Sequence, residues 1–207
     1  MNPAPTFDRT YPLIKRQVLR GNWRPGERID ASALSKDLDA SAIPVREVLQ
    51  RLVGERMLEL VPSGGFAVPE VSEEALRNLY SWHGQLVRIA LRYRGTLTLR
   101  LPSAAFLDAL ARDDYEGFAL ATETVFAAIA NASMISEHAL VLISVGERLR
   151  RFRRQEARLI KDVLPELHLV RTLTESGPED ELREAIAAYH RRRLRRAAQL
   201  IALTTAP

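Results

Sequence analysis

The sequence of 207 residues has no cysteine and no apolar run of the length that a membrane crossing needs. Without cysteine, a disulfide framework, a thiolate metal site and a cysteine nucleophile are all excluded. A helix needs roughly 20 predominantly apolar residues to cross a bilayer, so no transmembrane helix is predicted. The first residues, MNPAPTFD, carry neither the basic nor the apolar segment of a secretory signal. We therefore expect a cytoplasmic protein with no membrane partner.

A concentration of positive charge is also missing from the first third of the chain. The whole chain has a formal net charge of +4, but residues 1–70 hold ten Lys and Arg against nine Asp and Glu. The excess lies instead in two arginine-rich stretches, Arg148–Arg154 and Arg191–Arg196. Net charge alone would place a nucleic-acid site in the wrong part of the chain. The length fits two small domains, and the motifs show how they divide.

Helical patterns and turn residues alternate over residues 1–70. Pro12 is predicted in the first turn of a helix that Gly21 ends. Asp30 is predicted to cap a second short helix, and Ser41 a third. The third helix would bury one apolar stripe, which consists of Val45, Val48, Leu49 and Leu52.

A β-hairpin is predicted directly after these helices. Residues 58–61 and 66–69 alternate like short strands, and Ser63-Gly64-Gly65 between them supplies a tight turn. Helix, turn, helix and glycine-tipped hairpin form the order of a winged helix-turn-helix, which presents one helix to the DNA major groove. Three motifs stand in this order, namely Arg24-Pro-Gly-Glu-Arg-Ile29, Pro44-Val-Arg-Glu-Val-Leu49 and Pro62-Ser-Gly-Gly-Phe66. With these motifs at these spacings, the chain resembles the GntR family of bacterial transcription regulators.

The surface predicted to contact DNA follows from the exposed face of the third helix and from the hairpin tip. Arg46 would reach a guanine edge or a phosphate; alternatively, it is a surface arginine paired with Glu47 or Asp39. Two departures from the family pattern remove cations: Ala42-Ile43 stands where Arg-Thr is frequent, and no basic residue precedes the wing glycines. The positions predicted to bind DNA are Ser41, Ala42, Arg46, Gln50, Arg51, Gly64 and Gly65.

From residue 71 the pattern is helical, which predicts an all-α bundle over residues 71–207. Ser72 is predicted to cap its first helix, which runs to about Arg94. A strand-like run at residues 96–101 is interpreted as a loop. The predicted fold class is therefore mainly α, with a winged helix-turn-helix and small hairpin over residues 1–70. A helical domain in this position resembles the FCD (FadR-like) subfamily of the GntR family.

That resemblance implies an effector pocket and, in many members, a metal held by one aspartate and three histidines. The matching positions here are Glu123 for the aspartate, Ala127 for the first histidine, and His168 and His190 for the others. His83 would supply a replacement nitrogen. The candidate metal set is thus Glu123, His168 and His190, but a metal-free pocket, with the histidines hydrogen-bonded in a polar cavity, is the favoured interpretation. The predicted effector-binding residues are His83, Glu123, Asn131, His168 and His190.

The arginine-rich stretches allow two interpretations. Leu149 and Phe152 are spaced as buried residues, with the arginines around them on a solvated helix face. One or two arginines would otherwise turn inward and hold an effector carboxylate or phosphate, with Arg148 or Arg151 as examples.

The sequence therefore predicts a homodimeric DNA-binding regulator, a repressor, that binds an inverted-repeat operator. A small organic acid or related metabolite would act as its effector and release or reorient the DNA-binding units. No catalytic residue and no certain cofactor is predicted, with a divalent ion such as Zn²⁺ as an option. Two alternatives stay open: a metal-dependent helical-bundle enzyme, and a sensor that has lost sequence-specific DNA recognition.

Overall fold

A computed structural model describes residues 7–95 and 115–205 of the chain. The chain divides into two compact units, Met1–Val71 and Ser72–Pro207. The division lies one residue from the domain boundary that the sequence suggests. The strand-like run at residues 96–101, interpreted above as a loop, lies outside the described residues.

The N-terminal unit consists of three helices and a three-stranded antiparallel sheet. Its elements are α1 (Phe7–Arg20), β1 (Arg28–Ile29), α2 (Ala31–Asp37), α3 (Ala42–Gly54), β2 (Glu59–Leu60) and β3 (Phe66–Ala67). The strand order is β1-β3-β2, so β3 pairs with β1 on one side and β2 on the other. This is a winged helix-turn-helix, and the predicted hairpin is confirmed. The sequence patterns missed β1, which has only two residues.

The core of this unit confirms the predicted stripe on α3. Its four residues, Val45, Val48, Leu49 and Leu52, are fully buried. They pack with Ile14 of α1, Leu34 of α2 and Phe66 of β3 in one hydrophobic cluster. Full burial of one such aliphatic side chain stabilises a fold by about 1.5–3 kcal/mol, so the stripe fixes the orientation of α3.

The ends of the helices confirm some predictions and correct others. Asp30 caps α2 by accepting hydrogen bonds from the amides of Ser32 (2.8 Å) and Ala33 (3.1 Å). Gly21 ends α1 with a φ of 72°. Ser41 occupies the N-cap position of α3, but its side chain makes no capping hydrogen bond, so its predicted bonding was wrong.

Pro12 was placed wrongly, because α1 begins five residues earlier and Pro12 lies inside it. The rings of Phe7 and Tyr11 stack with centroids 5.8 Å apart. Both rings also lie under the Arg51 guanidinium of α3. These tertiary contacts stabilise a helical turn that precedes Pro12, whereas the proline on its own predicts that the helix begins there.

The C-terminal unit is helical in its described part, with one isolated bridge between Arg94 and Ser133. The predicted fold class is confirmed. Its helices are α4 (Glu73–Arg92), α5 (Tyr115–Asn131), α6 (Ser136–Leu159), α7 (Val163–Ser176), α8 (Glu179–Arg195) and α9 (Ala197–Thr205). Ser72 caps α4 as predicted, by accepting a hydrogen bond from the Ala75 amide at 3.1 Å. Among the described residues, none of the helices is both long and apolar enough to cross a membrane.

Candidate DNA-binding surface and interior of the helical unit

The exposed face of α3 carries most of the side chains that the sequence assigned to DNA. Because the buried stripe occupies one side of the helix, Ala42, Arg46 and Gln50 are left in solvent, as is Ser41 before it. Ile43 is 71% exposed in the first turn of α3, one helical turn before Arg46. A helix with an outward arginine near its N-terminus matches the way a recognition helix meets base edges.

Arg46 faces a groove within the N-terminal unit. The groove has a volume of about 600 Å³. It is lined by α3, by the start of α2 and by the sheet, through Arg28, Ile29, Asp30, Ala31, Ser32, Arg46, Gly65 and Phe66. The wing and the recognition helix therefore border one continuous concave surface.

Arg51 was also predicted to contact DNA, but the structure directs its side chain to α1. Its guanidinium lies 4.4 Å from the centroid of the Tyr11 ring, and its Nε donates a hydrogen bond to Glu55 at 3.1 Å. Cation–π and ion-pair contacts of this kind hold a side chain against its own domain. The side chain of Arg51 is thus directed to α1 and does not belong to the proposed DNA contacts.

The wing tip is formed by Ser63-Gly64-Gly65. Gly64 and Gly65 have φ values of 86° and 92°, a region that residues with a Cβ rarely adopt, and both are exposed. The Arg28 guanidinium of β1 donates hydrogen bonds to the Gly64 carbonyl and to Ser63 Oγ, the latter at 3.1 Å. Arg28 is not among the residues predicted from the sequence to bind DNA, although it stands in the Pro-Gly-Glu-Arg motif.

Two of the predicted effector residues meet in the interior of the helical unit. His83 of α4 and His190 of α8 are buried, with His83 Nδ1 2.9 Å from His190 Nε2. Arg153 Nη2 lies 3.1 Å from His83 Nε2, and His190 Nδ1 lies 2.7 Å from the Ile186 carbonyl oxygen. Gly84 leaves room for the His190 ring, because a Cβ there would lie 3.2 Å from it.

The direction of this hydrogen-bond chain follows from its two ends. A guanidinium can only donate and a carbonyl can only accept. His83 therefore accepts from Arg153 and donates from Nδ1 to His190, and His190 donates from Nδ1 to Ile186. Each imidazole then carries one proton and is neutral. Burial lowers the pKa of His83 well below its usual value, and it lowers the pKa of His190 to about 4. The positive charges of Arg153 and Arg193 act in the same direction on His190.

The structure does not bring the three residues of the candidate metal set together. Glu123 binds Arg150 of α6 through its Oε2, and His168 lies on the exposed side of α7. Asn131, a predicted effector residue, is exposed at the end of α5. Within residues 7–95 and 115–205, no three His, Asp or Glu side chains form a group that could hold a metal ion. These residues do not fit the metal that the resemblance implies, because an arginine occupies Glu123 and another arginine faces His83.

Two arginines turn inward, but they differ from Arg148 and Arg151, the examples predicted from the sequence. Arg153 and Arg193 are fully buried, whereas Arg148 and Arg151 are only partly buried. Arg153 follows the buried Leu149 by four residues, and Arg193 follows the buried Tyr189 by four. This i, i+4 spacing places each arginine on the apolar face of its helix, and it is the signal that could have identified them.

Arg193 is the centre of a buried ionic network that joins four helices. Its Nε and Nη2 donate to Glu156 Oε2 of α6 at 3.0 and 2.9 Å, and its Nη1 donates to Glu166 of α7. The other oxygen of Glu156 accepts a hydrogen bond from the Tyr80 hydroxyl of α4 at 2.6 Å. The guanidinium also lies 3.5 Å from the centroid of the Tyr189 ring.

A cavity of about 230 Å³ lies between α5 and α6. Apolar side chains such as Phe126 and Leu142 line it, together with Glu123, Glu147, Arg150 and Arg153. Two buried polar atoms of its lining, Arg153 Nε and Glu123 Oε1, have no hydrogen-bond partner among the described residues. One is a donor and the other an acceptor, so the cavity has capacity to bind a small polar molecule.

The class of protein defined by this geometry is a winged-helix protein with a second, helical unit. Residues 6–68 match the family model described as bacterial regulatory proteins, gntR family. This match, together with the relatives below, supports a GntR-family regulator.

Two curated relatives from Escherichia coli (strain K12) are similar to part of the chain. The transcriptional repressor GlaR is 30% identical over 89 residues, which are 41% of this chain and 40% of GlaR. The transcriptional regulator McbR is 36% identical over 80 residues, 38% of this chain and 36% of McbR. The matched region thus spans well under half of each curated relative.

Solved structures are similar over almost the whole chain. A GntR transcriptional regulator from Rhodococcus sp. RHA1 has a TM-score of 0.76 at 19% identity, covering 95% of this chain and 97% of that one. E. coli McbR has a TM-score of 0.65 at 20% identity, covering 93% and 97%. At these identities the likeness shows the fold.

Proposed function

We propose that this protein is a DNA-binding transcriptional regulator, a repressor, whose N-terminal unit binds a double-stranded operator. The observation that carries the proposal is the exposed Arg46 on α3, beside a glycine-tipped wing, in a unit that matches the gntR family model. An α-helix fits the major groove, where arginine binds the O6 and N7 of guanine. The wing glycines allow the backbone to approach the sugar-phosphate wall of the neighbouring minor groove.

We further propose that the protein binds as a homodimer to an inverted repeat. The exposed face of α4 carries Trp82 and Ile89, which are 49% and 36% exposed, and Tyr93 at its C-cap is 41% exposed. Their spacing of seven and four residues places them on one side of the helix. Burying such a stripe against a second copy would remove apolar surface from water. Two recognition helices related by a two-fold axis would then read two half-sites.

Arg46→Ala is expected to weaken operator binding about 10- to 100-fold, because one arginine–guanine pair contributes roughly 1–3 kcal/mol of discrimination. The measurement is fluorescence anisotropy on DNA from the region upstream of the protein's own gene, with scrambled DNA as competitor. Wild-type binding should also weaken steeply with salt, and titration should saturate at two chains per fragment. Arg16→Ala, an equal loss of charge at an exposed site on α1, is the matched control. Equal wild-type affinity for native and scrambled DNA would refute sequence-specific regulation.

For the helical unit we propose an FCD-like effector domain, with the cavity between α5 and α6 as the effector site. Arg153 Nε offers an unused donor there, and Glu123 Oε1 offers an unused acceptor. A carboxylate would pair with the first, and a hydroxyl or amino group on the same molecule would pair with the second. The effector class is therefore a small organic acid that also carries a donor group, such as a hydroxy acid or an amino acid.

An effector of this class is expected to raise the thermal midpoint of the protein and to release it from DNA. Binding to the folded state alone stabilises it by mass action, and coupling requires operator DNA to weaken effector binding by the same factor. A panel of simple, hydroxy and amino acids tested by thermal shift and anisotropy checks both effects. Arg150→Ala, at the cavity wall, should abolish both, whereas Arg183→Ala on the exposed side of α8 should leave them intact. A midpoint shift that survives Arg150→Ala would place the ligand elsewhere.

A further inference from the structure

The wing of this protein has no basic residue of its own, and Arg28 of β1 stands beside it. The wing sequence is Pro62-Ser-Gly-Gly-Phe66, without Lys or Arg. Arg28 is 35 residues from Ser63 in sequence, yet its Nη1 donates to Ser63 Oγ at 3.1 Å, and its Nη2 donates to the Gly64 carbonyl. The guanidinium therefore lies at the tip of the hairpin.

The sheet register explains how a residue of β1 reaches the wing. Arg28 pairs with Ala67 and Ile29 pairs with Phe66 across β1 and β3, so β1 runs antiparallel to the strand that leaves the wing tip. Ile29 points into the core, which leaves the neighbouring Arg28 side chain exposed. Successive residues of a strand face opposite sides, so burial of Ile29 fixes the outward direction of Arg28.

Gly65 lies directly beside the guanidinium. A Cβ at Gly65 would make an ordinary van der Waals contact with Arg28 Nη2 at 3.5 Å, so the φ of 92°, and not a lack of space, favours glycine there. The glycines thus allow the turn that brings the Gly64 carbonyl to Arg28. The guanidinium has five N–H donors, and the two contacts with Ser63 and Gly64 leave further donors directed to solvent.

The same guanidinium borders the groove that contains Arg46. Arg28, Gly65 and Arg46 all line this groove. One cation is thereby supplied from the recognition helix and a second from the sheet. The separation of Arg28 from the wing in sequence is why counting charges in the hairpin alone gives none.

We propose that Arg28 is the phosphate-binding cation of the wing: it holds the Ser63-Gly64-Gly65 tip in place and at the same time binds a DNA backbone phosphate. An arginine with some donors committed to its own domain is preorganised, so less side-chain freedom is lost when it binds DNA. This inference rests on the proposed DNA-binding function and extends it from α3 to the sheet.

Three substitutions separate the effect of the Arg28 charge from the effect of its hydrogen bonds to the wing tip. Arg28→Gln keeps an amide that can donate to the Gly64 carbonyl but removes the charge, whereas Arg28→Lys keeps the charge. Ser63→Ala removes one bracing contact and no charge. The measurement is fluorescence anisotropy on native and scrambled DNA at salt concentrations from about 50 to about 300 mM. Over this range phosphate contacts dominate the salt dependence of binding.

Arg28→Gln is expected to weaken binding to both DNAs by about tenfold. It should also reduce the magnitude of the slope of log K against log salt by about 0.9, because one fewer phosphate contact releases counterions. Arg28→Lys should restore that slope, and Ser63→Ala should leave it unchanged. An unchanged slope in Arg28→Gln would overturn the phosphate contact, whether or not affinity falls. If Arg28→Gln behaves as wild type while Arg46→Ala still loses operator preference, this inference fails and the proposed function stands. Absence of any DNA binding by the wild type refutes both.

Discussion

Glu156→Gln is expected to lower the free energy of unfolding of the helical unit by about 3–5 kcal/mol, the usual cost of removing one partner of a buried ion pair. Glu156 is fully buried and accepts hydrogen bonds from Arg193 and Tyr80. A glutamine keeps the volume, but it carries no charge and turns an NH₂ group towards existing donors. Arg193 would remain charged in the interior with only Glu166 to neutralise it, and three helices would lose their shared acceptor.

The two tryptophans of the chain allow this loss to be measured in one unit. Trp23 lies in the N-terminal unit and Trp82 in the helical unit. In a Trp23→Phe background, urea unfolding followed by Trp82 fluorescence reports the helical unit. Arg183→Gln breaks an exposed i, i+4 pair with Glu179 and should change stability little, since such surface pairs contribute weakly.

A double variant decides whether the loss comes from the orphaned charge. Glu156→Gln combined with Arg193→Met removes the buried cation as well, and it should recover a large part of the lost stability because no uncompensated arginine charge is left in the interior. Stability within about 1 kcal/mol of wild type in Glu156→Gln alone would contradict a central role of the network.

The fold was predictable because its determinants are local. The α3 stripe, the Asp30 and Ser72 caps and the Ser63-Gly64-Gly65 turn each act within a few residues, and each appears where the sequence placed it. Pro12 shows the limit of this approach. The contacts of Phe7 and Tyr11 with Arg51 extend α1 beyond the proline, and no local signal contains those contacts.

The interior of the helical unit was less predictable, because its charges are paired across helices. A sequence shows that His83, His190 and Glu123 are polar residues on helices, but it does not show that arginines of α6 will be their partners. Arg150 binds Glu123 and Arg153 binds His83, so two cations occupy the groups that a metal ion would need. The resemblance suggested a metal triad beside the favoured metal-free pocket, whereas the i, i+4 spacing of Arg153 and Arg193 from buried residues indicates buried cations.

The helical unit is also expected to lose stability as the pH falls from about 6.5 to about 4. His83 and His190 are neutral in the folded state, and the pKa of His190 is lowered to about 4 by burial and by its nearby arginines. In the unfolded chain a histidine has a pKa of about 6.5, so the unfolded state takes up protons over this range while the folded state does not. Unfolding is therefore favoured progressively as the pH falls, and the contribution of His190 levels off below about pH 4. For His190 alone the full difference is about 3 kcal/mol.

The charged groups packed around His83 and His190 also favour the neutral form of both imidazoles. Arg153 of α6 and Arg193 of α8 disfavour a second positive charge, while Tyr80, Tyr189 and Glu156 are engaged in the adjoining network. A proton added to His190 Nε2 would also face the Nδ1 proton of His83, and the hydrogen bond between the two imidazoles would be lost.

Urea midpoints of the Trp23→Phe protein, measured at half-unit pH steps from about 7.5 to 4.5 in the presence of EDTA, check the expected trend. His190→Gln removes one titrating group and should flatten the dependence. A wild-type stability that is constant over this range, or that rises as the pH falls, would contradict a neutral buried pair. A slope that is the same in His190→Gln and wild type would assign the acid sensitivity to other groups.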